Sequence, residues 1–113
     1  MDRKKEVKVL EHNSSLIIKA GREFSIFEVK DLKQKIAAFF NDGKNEFIFD
    51  FSDTSWIDSF GIAFVAWMVK NSILTGSRVI ILNPGKKIKD IFRETKLAEI
   101  VSFENISSEV LEK

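Results

Sequence analysis

The chain has 113 residues, 44% hydrophobic and 31% charged, with a formal net charge of +1. That size and balance fit one globular domain with an ordinary apolar core, and the near-neutral charge offers no basic field to draw in nucleic acid. Cys is absent and His12 is the single His, which excludes disulfides, thiolate metal sites, Cys nucleophiles and any His cluster for a metal or a Ser–His triad.

The first residues, MDRKKE, are charged, and no apolar stretch of signal-peptide type follows. The longest apolar run, Gly61 to Val69, is nine residues and too short to span a bilayer. A cytoplasmic protein without membrane insertion is the expectation. Val7 and Val9 alternate within Lys5 to Glu11, as in a half-buried strand. His12-Asn13-Ser14-Ser15 reads as a turn and Leu16-Ile17-Ile18 as a second strand, so the chain opens with a hairpin that ends at Gly21. From Glu28 to Phe40, the positions Val29, Leu32, Ile36 and Phe39 or Phe40 form the stripe of an amphipathic helix. Lys30, Lys33 and Lys35 lie among its polar positions, and Asn41-Asp42-Gly43 stops it.

The stretch Phe47 to Thr75 organises the rest. Phe47, Ile48 and Phe49 are continuously apolar, which suits a strand buried on both faces. Asp50, Ser52, Asp53, Thr54 and Ser55 supply a bend. Asp58 or Ser59 then caps a helix from about Gly61 to Gly76, a C′ glycine. Beyond it, Arg78 to Leu82 reads as a buried strand and Asn83-Pro84-Gly85 as a tight turn. Lys86 to Thr95 carries Ile88, Ile91 and Phe92 at helical spacing. Leu97 to Phe103, with Ile100 and Val101, reads as a last short strand, and Ser107 caps a final helix through Val110 and Leu111. The order ββαβαβαβα predicts a single compact α/β domain over residues 1–113. Its mixed, mostly parallel sheet of about five strands is wrapped by about four helices.

Chemistry is expected at the turn between Phe49 and Gly61, where a helix N-terminus favours an anion. Two readings apply to Asp58-Ser59-Phe60-Gly61: an anion or phosphorylation site, or a helix cap whose glycine lets strand and helix pack closely. In the following helix, Ile62, Val65, Val69 and Ile73 form a stripe that covers the sheet, while Phe64, Trp67 and Met68 lie on another side. A helix apolar all round needs a neighbouring helix or a partner protein on that side. Lys86, Lys87 and Lys89 form a basic cluster at a helix start, read either as a solvated face or as a contact for an acidic partner or phosphate. Asp50, Asp53 and Asp58 could approach a cation, but turns are rich in Asp in any case. No residues form a triad, a Gly-rich phosphate loop or a paired-carboxylate arrangement, so no enzyme activity, metal or cofactor is expected.

The run Phe49-Asp50-Phe51-Ser52 with Trp56-Ile57-Asp58-Ser59-Phe60-Gly61-Ile62 resembles the STAS domain family, best known as bacterial anti-sigma factor antagonists. Gly21 matches the glycine after the family's opening hairpin. Val79 to Gly85 looks like its fourth strand and turn, and Arg93-Glu94-Thr95-Lys96-Leu97 the segment closing its third helix. The resemblance covers nearly the whole chain. It implies a non-enzymatic domain that binds an anti-sigma factor, itself a serine kinase, and so releases a sigma factor. In the family, phosphorylation of the Ser or Thr just before the motif glycine breaks the complex, by adding about −1.5 to −2 charges at the contact surface.

This sequence departs from that pattern twice. Phe60 occupies the usual acceptor position, leaving Ser59 as a shifted candidate phosphoacceptor, with Ser55 and Thr54 as others. Phe24 stands where the family commonly has Asp, three residues after the glycine. The expectation is a hydrophobic partner surface of Phe24, Phe60, Phe64, Trp67 and Met68, with Lys86, Lys87 and Lys89, around the Asp58–Gly61 turn. The alternative is that Phe24 and Phe60 simply pack together. The partner that the resemblance implies is an anti-sigma factor of the serine kinase type or another regulatory protein, with a homodimer left open. The competing role is that of a STAS subunit in a transporter or signalling scaffold.

Overall fold

The computed structural model of the protein describes residues 7–37 and 43–105. Its strands are β1 (Lys8–His12), β2 (Ser15–Lys19), β3 (Glu23–Phe24), β4 (Glu46–Asp50), β5 (Trp56–Ile57), β6 (Arg78–Leu82) and β7 (Ser102–Glu104). The helices are α1 (Ile26–Ile36), α2 (Ser59–Thr75) and α3 (Lys86–Glu94), and a 3-10 turn covers Leu97–Glu99. The main sheet runs β1-β2-β4-β6-β7, with β1 antiparallel to β2 and every other neighbour parallel. This is the mixed, mostly parallel sheet that the alternation of elements predicts.

Register explains why Phe47-Ile48-Phe49 has no polar position. Phe47 pairs with Leu16 and Val79, Phe49 with Ile18 and Ile81, and these face the main core. Ile48 pairs with Ile17 and Ile80, and those three form a second buried cluster with Leu82 on the opposite face. A central strand covered on both faces has no solvent side to mark with a charge. The buried hydrophobic residues of all three helices join the main core.

The first helix starts two residues before the sequence reading places it. Ser25 precedes it, and the Glu28 carboxylate accepts bonds from the Ser25 amide (3.0 Å) and hydroxyl (2.6 Å). This Ser-x-x-Glu pairing satisfies orphan donors at the helix start. Phe39, Phe40, Asn41 and Asp42, read as the helix end and stop, lie outside the described residues, as do Ser107, Val110 and Leu111 of the expected fourth helix.

At the chain's far end, Lys96 adopts a left-handed φ of 65° and α3 gives way to the 3-10 turn. The expected strand Leu97–Phe103 is therefore shortened to β7, and Ile100 is exposed. The sequence reading also contains no trace of β3 and β5. They form a separate two-stranded parallel sheet, Glu23 opposite Trp56 and Phe24 opposite Ile57. Two-residue strands carry no periodic signal, and only their pairing defines them.

Candidate functional site

The small β3–β5 sheet ties residues 21–26 to the turn that begins α2. The Thr54 hydroxyl donates to the Gly21 carbonyl at 2.7 Å. Ser55 and Trp56 amides donate to the Arg22 carbonyl at 2.9 and 3.2 Å, and the Asp58 amide to that of Phe24 at 3.4 Å. These bonds bring two helix starts side by side. Asp58 then serves both: Oδ1 accepts from the Gly61 amide at 2.9 Å, Oδ2 from the Ile26 amide at 3.3 Å. The anion that this turn favours is thus supplied by the chain itself. The cap reading of Asp58 holds, and it extends to a second helix 32 residues away in sequence.

Gly61 sits where α2 meets β3. A Cβ there would lie 2.3 Å from the Phe24 carbonyl oxygen and 2.7 Å from Ile57 Cγ1. The close-packing role expected of this glycine is therefore literal. It also fixes which way α2 faces. Gly61, Phe64, Val65, Met68, Val69 and Ser72 are its buried residues, and their 3-1-3-1-3 spacing is one helical face.

That orientation corrects the sequence reading of α2. Phe64 and Met68, expected on a partner surface, are 2% and 0% exposed and belong to the core. Ile73, expected to cover the sheet, is 72% exposed. On a helix apolar all round, hydrophobicity cannot select the inner face. Gly61 selects it here by permitting close approach to β3.

Phe24 needs the same correction. It is fully buried, with its ring 5.6 to 6.1 Å from those of Phe49, Phe51 and Phe64. It supports the turn from beneath and is not part of the surface. Nor do Phe24 and Phe60 share a fate, because Phe60 is 53% exposed.

What remains outside is a ridge along α2. Phe60, Ala63 and Trp67 are exposed at 3-4 spacing, followed by Lys70 and Leu74 in the same register. Beside its start, Trp56 is exposed on β5, a residue absent from the sequence-based surface, and Lys87 Nζ lies 5.1 Å from its ring centroid. This cation–aromatic contact offsets the cost of a lysine in the first turn of α3. The three lysines do not act as one cluster. Lys86 pairs with Asp90 at 3.0 Å, and Lys89 lies over the Phe103 ring at 5.7 Å, leaving Lys87 as the one placed against the turn.

The hydroxyl groups separate by burial. Ser59 is exposed at the first position of α2 and Ser55 is exposed before β5, whereas Thr54 is buried and donates to the Gly21 carbonyl. Asp50 is buried with Oδ1 accepting from the Ser52 amide at 3.0 Å, Asp53 is exposed, and Asp58 caps helices. Among the described residues no three acidic or His side chains converge to hold a metal. No helix among them is long and apolar enough to cross a membrane.

Comparison with solved structures places the fold. The anti-sigma factor antagonist SpoIIAA in its unphosphorylated form is similar at a TM-score of 0.77 and 19% identity, covering 93% of each chain. The Bacillus cell fate determinant SpoIIAA in its phosphorylated form is similar at 0.76 and 20%, covering 93% of this chain and 95% of that one. An anti-sigma factor antagonist from Mycobacterium paratuberculosis is similar at 0.73 and 18%, covering 96% and 92%. At such identities the likeness is one of fold. Among curated proteins nothing matches. A STAS domain model matches residues 5–112, and with the Asp58–Gly61 turn standing at the start of α2 in a SpoIIAA-like fold, the chain belongs to the STAS domain family.

Proposed function

We propose that this protein is a regulator of the anti-sigma factor antagonist kind, acting by binding rather than catalysis. Its partner is an anti-sigma factor of the serine kinase type, and its contact surface is the α2 ridge with Phe60 and Trp67, flanked by Trp56 and Lys87. One observation carries the reading. At the turn where the family places its switch, the side chain before Gly61 is an aromatic ring 53% exposed to solvent. An exposed Phe at a helix start gains nothing in the free protein, whereas a buried aromatic is the usual anchor of an interface.

The same residue removes the usual phosphoacceptor, so the complex is read as insensitive to the partner's kinase activity at that position. Ser59 and Ser55 are exposed hydroxyls nearby. Incubation with the anti-sigma kinase of the source organism and ATP, followed by intact-mass measurement, is expected to leave the protein unmodified. A phosphate mapped to Ser59 would show the switch surviving one residue earlier.

Binding is tested by capture of that kinase on immobilised protein, with Phe60→Asp as the comparison. Loss of capture with an unchanged melting temperature supports the surface. Equal capture by both forms refutes it. Recovery of transporter or scaffold subunits in place of the kinase would assign the domain to the competing role.

A further inference from the structure

The two oxygens of Asp58 are spent on two different helices. Oδ1 holds the Gly61 amide in the first turn of α2, and Oδ2 holds the Ile26 amide, the first residue of α1. The backbone contacts between the two segments lie upstream, at Arg22 and Phe24. Phe27 and Phe60 each occupy the second position of their helix and are 56% and 53% exposed.

We infer that Asp58 is a positioning residue that makes the first turns of α1 and α2 move as one unit. A disturbance at the α2 turn, whether a bound partner at Phe60 or an added charge at Ser59, then reaches the start of α1 and Phe27. The physical basis is that a carboxylate binding two amides at once cannot shift toward one without loosening the other. Both bonds have a carboxylate acceptor, and the shorter one, to the Gly61 amide at 2.9 Å, has the length of a strong charge-assisted bond. The Glu28 carboxylate accepts from the Ser25 amide and hydroxyl, at the start of its own helix. This inference concerns the free protein and stands apart from the identity of the partner.

Amide hydrogen exchange read by NMR on the whole chain tests it. Asp58→Asn keeps one carbonyl oxygen and replaces the other by a donor, so one of the two amides must lose its acceptor. Exchange at Ile26 or at Gly61 is expected to rise by about tenfold or more, the factor set by one lost charge-assisted bond. Ser59→Glu places a second negative charge beside the carboxylate and is expected to speed exchange at Ile26 in the native background. In the Asp58→Asn background the same substitution should add no effect at Ile26. Additive effects of the two substitutions, or Ile26 exchange unmoved by Ser59→Glu, would overturn the coupling. If Asp58→Asn proves unfolded, the Ser59→Glu response at Ile26 in the otherwise native chain decides alone. Loss of coupling with kinase capture intact would leave the proposed function standing, and the reverse outcome would leave the coupling standing.

Discussion

Gly61→Ala puts the packing of the candidate site to a numerical test. In a helix interior this change ordinarily stabilises by about 1 kcal/mol, because Ala restricts the unfolded chain and suits the helix. Here the new methyl would sit 2.3 Å from the Phe24 carbonyl oxygen, inside the 3.0 Å that real Cβ contacts respect. The obstacle is backbone, so it cannot swing aside as a side chain would. β3 is also held by the Asp58 amide and by the Ile26 bond to Asp58. Overpacking of this kind costs about 1–3 kcal/mol, and the rigid neighbour argues for the upper part of that range. A net loss of about 1–2 kcal/mol follows, or roughly 5–10 °C in melting temperature for a small domain. The assay is thermal unfolding followed by circular dichroism, with Gly85→Ala as the control. A Cβ at Gly85 meets nothing within 4 Å, so its effect should stay within about 0.5 kcal/mol. If Gly61→Ala is as stable as the native chain, the close approach of α2 to β3 does not exist as described.

The other substitutions divide between core and surface. Phe24→Ala empties a fully buried site between three aromatic rings and should cost about 3–5 kcal/mol in urea unfolding. Phe60→Asp should change stability by no more than about 0.5 kcal/mol while weakening capture of the partner about tenfold or more. Phe60→Ser places a hydroxyl before Gly61 and should make the protein a substrate of the partner kinase, read as one added phosphate by intact mass. Lys87→Glu removes the cation from the exposed Trp56 ring but places an acid in the first turn of α3, so stability should change by no more than about 0.5 kcal/mol while tryptophan emission shifts. An emission spectrum identical to the native one would mean that the contact does not persist in solution.

Much of the site was legible because its signals are local. Asp58 and Gly76 bound α2 as cap and C′ residue, and Gly76 takes a left-handed φ of 75° as that position demands. The strand Arg78–Leu82 is read to the residue because an unbroken apolar run between turn formers has few other solutions. The Ser25–Glu28 box is also written in the sequence as Ser-x-x-Glu, but the apolar stripe that marks the helix begins only at Val29, so periodicity places the start too late. The exposed Trp56 left no such trace, because an aromatic between turn residues looks the same whether it packs inward or stands against a lysine from α3.

The sequence by itself determined the five strands of the main sheet, the three helices between them, their order and the glycine-bearing turn, since strand runs, caps and turn residues act within a few positions of chain. Tertiary structure alone decided three things: which face of α2 is buried, that Phe24 belongs to the core while Phe60 does not, and that Asp58 serves two helices. Each depends on atoms brought together from distant parts of the chain. An all-apolar helix has the same transfer energy on every side, so its orientation is set by where the carbonyl of Phe24 leaves room for a residue without a side chain.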